Sequence, residues 1–165
     1  MTMKSESKEH KADFTYAVSD ERATTVLEEL SKRLPYGLYC KIRGENRKKR
    51  ICGISVDEKS VSFYYPFPNG QTDRYGNKGE IMIFNINEWL IYPCLRSESN
   101  LTEEEARILE SHRRQIANST GNLFTQSVEA YNRFVYSHHI DTNGLIAKGY
   151  AVEAAQNTYK IKALL

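Results

Sequence analysis

Apolar residues recur at two different periods along this chain. Ala23, Val26, Leu27, Leu30 and Leu34 fall on one face at helical spacing. Asp20 reads as the N-cap of that helix, Lys32 and Arg33 suit its C-terminal dipole, and Pro35 and Gly37 stop it. The period then shortens to two. Leu38–Ile42, Arg50–Val56, Val61–Tyr65 and Glu80–Asn85 read as strands, with Asp57-Glu58-Lys59 as a tight turn. Residues 66–80 carry Pro66, Pro68, Asn69-Gly70, Gly76 and Gly79 and form a turn-rich loop or a long hairpin tip. Residues 87–93 read as a fifth short strand or a buried crossover. Short strands joined by tight turns predict an antiparallel meander rather than a parallel sheet.

The helical period returns after residue 100. Thr102 and Glu105 have the spacing of a capping box, with Leu101 and Ala106 in the flanking staple positions, and the helix runs to about Ala117. Ser119-Thr120-Gly121 breaks it. Phe124, Val128, Tyr131, Val135 and His138 then mark one face of a second helix, able to pack on a sheet or on a partner helix. Asp141 is placed to cap a short final helix through Lys148, with Gly149 as its left-handed terminator. Tyr159-Lys160-Ile161 reads as one more edge strand. The pattern therefore predicts an α+β fold: an antiparallel sheet of four to five strands, an N-terminal helix, and a C-terminal helical region packed on the sheet. It divides the chain into a flexible tail, 1–13, and a single domain, 14–165, with helix and meander in 14–100 and the helical region in 101–165.

Composition narrows the class. The chain has 165 residues, enough for one domain, and its 11 Tyr, 6 Phe and single Trp can build a core. No apolar run approaches the roughly 20 residues that span a bilayer. The polar N-terminus lacks the apolar segment of a secretory signal, so a cytoplasmic location is expected. Cys40, Cys52 and Cys94 form no C-x-x-C pair and read as free thiols of a reducing compartment. The net charge is only +2, yet Lys41, Arg43, Arg47, Lys48, Lys49 and Arg50 stand against Glu45 alone within 41–50. That segment carries a net +5, which leaves −3 for the rest of the chain.

Candidate chemistry is sparse. His138, His139 and Asp141 are the one cluster with metal-ligand character, but adjacent helical side chains diverge by about 100° and Asp141 already has a capping role. Glu103, Glu104 and Glu105 are explained by the helix dipole. Neither a nucleophile elbow nor a phosphate-cradling glycine loop is present. No catalytic residue, metal or cofactor is therefore assigned. The binding candidates are Lys41, Arg43, Arg47, Lys48, Lys49 and Arg50 on a hairpin tip, with Tyr64 and Tyr65 on a nearby strand as a stacking surface. The same cations suit an acidic protein surface, or simply keep a sheet edge soluble.

Three stretches carry a resemblance: Leu34-Pro35-Tyr36-Gly37-Leu38; the segment from Tyr92-Pro93-Cys94-Leu95-Arg96 to Thr102-Glu103-Glu104-Glu105; and His138-His139-Ile140-Asp141 followed by Gly144-Leu145-Ile146. In this order, over roughly residues 22–160, the chain resembles a family of small, uncharacterised accessory proteins of phages and mobile elements of Bacteroides-group bacteria. Cys94 stands where that family has an aromatic residue, and Glu98 where it has a small one. The resemblance implies no catalytic residues. It implies a non-enzymatic cytoplasmic protein that binds host machinery, a host protein or a ribonucleoprotein, with inhibition of an antiviral system such as an RNA-guided nuclease as the analogous role. The alternatives are a nucleic-acid-binding module using the basic hairpin, and a metal-dependent enzyme using His138, His139 and Asp141. The sequence leaves the oligomeric state open.

Overall fold

A computed structural model describes residues 18–155 and 158–159. The expected tail, 1–13, and residues 160–161 of the expected last strand lie outside them. The elements in chain order are helix α1 (Asp20–Arg33), strands β1 (Tyr39–Ile42), β2 (Lys49–Ser55), β3 (Ser60–Pro66), β4 (Gly79–Asn85) and β5 (Ile91–Leu95), helices α2 (Glu103–Ala117) and α3 (Gly121–Ser137), and a two-residue strand β6 (Val152–Glu153). The fold is α+β, with six strands rather than four or five.

The sheet order is β4-β3-β2-β1-β5-β6. From β1 to β4 it is the expected antiparallel meander, each strand pairing with the next. Beyond that the expectation needs correcting. β5 returns to the free side of β1, and β6 pairs with β5 in parallel, Cys94 opposite Val152. The sheet is therefore mixed. No local pattern could announce β6, because its partner lies far away in the sequence.

One face of the sheet holds the core. Cys40, Ile42, Ile51, Val61, Phe63, Ile91 and Leu95 are buried against Ala23, Val26, Leu27 and Leu30 of α1 and against Leu145 and Ala151. Fully burying one such side chain stabilises the fold by about 1.5–3 kcal/mol. α1 is capped by Ser19, not Asp20: the Arg22 N–H donates to Ser19 Oγ at 3.2 Å, and Asp20 is the first helical residue. At the other end Arg33 is fully buried. Its guanidinium pairs with Glu29, donates to the Ile140 carbonyl at 2.9 Å and lies 5.0 Å from the Tyr136 ring. Arg33 thus ties α1 to the chain leaving α3.

Helices α2 and α3 pack against each other through Leu109 and Val135, joined by Ile140. The capping box is formed as expected. Glu105 also takes a two-pronged ion pair from Arg96, at 2.7 and 2.8 Å. The seam from Phe124 to His138 is buried only at its C-terminal end: Val135 is covered, while Phe124 remains 46% exposed. The expected final helix is absent. Asp141 does accept from the Leu145 and Ile146 N–H groups, at 2.9 and 2.8 Å, but Gly144 and Gly149 are both left-handed and the segment stays a series of turns. Through Leu145 and Ala151 this turn segment, rather than a helix, seats the C-terminal region on the sheet.

Candidate functional site

Strand alternation sorts the basic segment onto two faces. Residues paired directly across an antiparallel ladder share a face. Cys40 pairs with Lys49 on the core side, and Tyr39 with Arg50 on the outer side. The same register places Lys41 opposite Lys48, and Lys41 pairs with Tyr92 across β5. Ile51 pairs with Phe63, which sets Arg50 beside Tyr64, and Tyr64 pairs with Ile81. The outer face therefore carries two adjacent rows. One runs Tyr92, Lys41, Lys48; the other runs Tyr39, Arg50, Tyr64, Ile81. α1 lies on the opposite face, and Lys41, Lys48, Arg50 and Tyr64 are exposed.

A bulge in β2 preserves this sorting. Ile51 opposes Phe63 and Gly53 opposes Ser62, so Cys52 is the extra residue. Arg50 stays outward on one side of the bulge while Ile54 stays inward on the other.

Several contacts hold the outer side chains in place. Arg50 lies over Gly37, whose left-handed backbone and missing Cβ admit the guanidinium; a methyl group there would stand 2.8 Å from it. Lys48 Nζ donates to Thr158 Oγ1 at 3.0 Å. Tyr64 lies across Gly79, where a Cβ would meet the ring at 2.6 Å. A depression of about 510 Å³ opens beside that ring, lined by Phe67, Asp73, Asn77 and Lys78. Tyr39 is half-buried against Tyr159, with ring centroids 5.9 Å apart, and Arg22 lies 4.9 Å from the Tyr92 ring centroid. Tyr64, 45% exposed, is thus the open platform, and Tyr39 and Tyr92 lie two and three strands from it, both toward β5.

Tyr159 closes one end of this face. Its hydroxyl accepts from the Tyr39 N–H and donates to the Cys94 carbonyl, bridging β1 and β5 where their ladder ends. Burial pushes the Cys94 thiol up to about 11, and the Lys48 and Lys41 charges act against that shift. Both ammonium groups are therefore felt at the same point of the sheet.

The other sequence candidates lie elsewhere. Lys49 and Tyr65 sit on the core side, where Lys49 Nζ is 3.8 Å from the Tyr65 centroid and 3.3 Å from Glu45 Oε2. The Tyr65 hydroxyl donates to the same Glu45 carboxylate. Burial and that carboxylate raise the phenol above its ordinary range. Alternation thus removes Tyr65 from the expected stacking pair, and Glu45 neutralises one cation of the six. Arg43 and Arg47 lie in the exposed turn between β1 and β2. Tyr39 and Tyr92 are not among the sequence candidates; Tyr39-x-Lys41 carries the period-two signal that places Tyr39, while Tyr92 joins the face only through the distant pairing of β5 with β1.

His138, His139 and Asp141 do not converge. His138 Nδ1 lies 2.9 Å from the Phe134 carbonyl, and Asp141 holds backbone N–H groups. His139 is buried with its ring 4.0 Å from Tyr159. Among the described residues no three metal-ligating side chains come together, and no helix is long and apolar enough to cross a membrane. No protein-family model, curated protein or solved structure matches this chain.

Proposed function

We propose that this chain is a non-enzymatic binding protein that takes single-stranded RNA on the outer face of its sheet, in the cytoplasm, as a mobile-element accessory protein engaging a host ribonucleoprotein. The observation that carries the reading is the interleaving of Lys41, Lys48 and Arg50 with Tyr39 and Tyr64 on a face opposite the covering helix, with Tyr92 at its β5 border within reach of Arg22. Cations track a phosphate backbone, and an exposed ring such as Tyr64 stacks a base without regard to sequence. A sheet face also offers an unpaired strand several contacts in line, which an isolated charged loop does not. The resemblance to phage and mobile-element accessory proteins supports a host target.

Fluorescence anisotropy with a labelled single-stranded RNA tests this. Three phosphate contacts give a logarithmic salt slope of about −2, so affinity falls roughly 15- to 20-fold between about 50 and about 200 mM salt. Lys41→Glu, Lys48→Glu and Arg50→Glu together abolish binding, and Tyr64→Ala alone weakens it about tenfold, as expected for a stacking contact of about 1–3 kcal/mol. Absence of binding at low salt overturns the reading. Docking on an acidic protein surface instead predicts a partner captured from host lysate after nuclease treatment, with no response to Tyr64→Ala.

A further inference from the structure

Strand β4 is the edge of the sheet, and its backbone dictates what can cover it. The ladder to β3 is unbroken over seven consecutive pairs, from Ser60 opposite Asn85 to Pro66 opposite Gly79. At its two ends the Phe67 N–H donates to the Lys78 carbonyl at 2.9 Å and the Ile86 N–H to the Lys59 carbonyl at 2.8 Å. Hydrogen-bonded pairs alternate along an antiparallel ladder. The even-numbered residues of β4 therefore bond to β3, and Gly79, Ile81 and Ile83 point their N–H and C=O groups away from the sheet, as Asn85 does its N–H; the Asn85 carbonyl already accepts from the Glu88 and Trp89 N–H groups, at 3.1 and 3.0 Å. The usual protections of an edge are missing here: the strand has no proline, no lysine and no bulge, and Glu80 is its one charge. Its apolar side chains are exposed, Ile83 at 67%, Ile81 at 57% and Met82 at 39%.

We infer that β4 pairs with β4 of a second copy of this chain, antiparallel about a two-fold axis through Met82. In the symmetric register centred on Met82, Ile81 pairs with Ile83 of the other copy twice over and the Asn85 N–H meets the Gly79 carbonyl of the other copy, the Asn85 carbonyl being taken by the Glu88 and Trp89 N–H groups of its own chain. Centring on Ile83 makes fewer backbone bonds and centring on Ile81 makes as many, so the side chains decide between the registers. The Met82 register is consistent in side chains. Ile81 and Ile83 of the two copies form one apolar quartet on the outer face, between the two Tyr64 rings. Glu80 faces Phe84 rather than another Glu80. The seam covers the exposed Ile81, Met82 and Ile83 side chains of both strands and leaves the Tyr64 rings open beside it. Such a two-fold runs perpendicular to the sheet, so both outer faces look the same way.

Sedimentation velocity on the full-length chain, from low to high micromolar concentration, tests the pairing. The wild type runs as a dimer, at twice 19.0 kDa. Ile81→Pro removes an outward N–H and none that bonds to β3, and Ile83→Lys places charge in the quartet; both are monomers with unchanged circular dichroism. The register has its own readout. In a Cys52→Ser background, Met82→Cys cross-links under mild oxidation, because a non-hydrogen-bonded antiparallel pair brings the two Cα atoms to about 4.5 Å. Glu80→Cys does not. A wild type that stays monomeric throughout, a dimer that survives both edge substitutions, or a Met82→Cys chain that fails to cross-link overturns the inference.

Discussion

His139 is neutral in the folded protein for reasons that can be read off its surroundings. Burial, followed by the nearby Arg33 charge, pushes its imidazole down to about 3, while a bond to the Tyr36 carbonyl pulls the other way. The unfolded chain binds a proton near pH 6.5; the folded one does not until about pH 3. Stability is therefore complete above pH 6.5 and declines as pH falls through that window. A single group of this kind costs about 2 kcal/mol between pH 6.5 and pH 5. Denaturant unfolding at the two pH values measures it, and His139→Phe, which keeps the ring against Tyr159, flattens the dependence whatever its effect at neutral pH. Glu105 acts lower. The Arg96 bonds hold its carboxyl at about 2, so its contribution is present above pH 4.5 and is lost as pH falls toward 2. The buried Arg33–Glu29 pair makes a sharper demand. Arg33→Leu leaves the Glu29 carboxylate, only 3% exposed, with Lys32 as its remaining cation, and lowers stability by about 3 kcal/mol in the same assay.

Among the elements, the capping box at α2 is where sequence and structure agree most closely, since Thr102 and Glu105 satisfy each other's backbone N–H groups. Thr102→Ala costs about 1 kcal/mol, read as a lowered melting temperature. The elements legible in the sequence are those whose cause is local: an apolar stripe for α1, alternation for β1 to β4, a cap for α2. The elements that were missed depend on distant partners or on a competing local choice. β6 exists because the chain returns beside Cys94. Asp141 captures the backbone it was expected to capture, yet Gly144 and Gly149 adopt left-handed conformations and the helix does not propagate. The site was half legible for the same reason. The run of cations is visible in sequence, but which of them share a face depends on register. Tyr64 and Tyr65, adjacent in the chain, face opposite sides. Glu45, which reads as a minor offset to the charge, pairs with Lys49 and Tyr65 on the core side, where strand alternation puts both.

For the molecule as a whole, the distribution of layers is the central fact. A sheet is stable when one face is buried, and here α1 with the turn segment around Leu145 supplies that layer on one side. Helix α2 packs on α3, and α3 reaches α1, rather than the pair laying a second layer over the strands. The outer face is left to tyrosines and cations, and the β4 edge to backbone groups that a second copy satisfies. The two surfaces make separate demands: Ile83→Lys is expected to abolish the dimer and to leave RNA contacts at Lys41 and Arg50 in place. The most direct measurement of the binding face is a two-dimensional amide NMR titration with a short single-stranded RNA at low salt. The predicted result is a set of shifts centred on Tyr39, Lys41, Lys48, Arg50 and Tyr64, with α1 and the Lys49–Tyr65 cluster unmoved. Shifts centred on α1 or the α2–α3 pair, or none at all, would contradict the account.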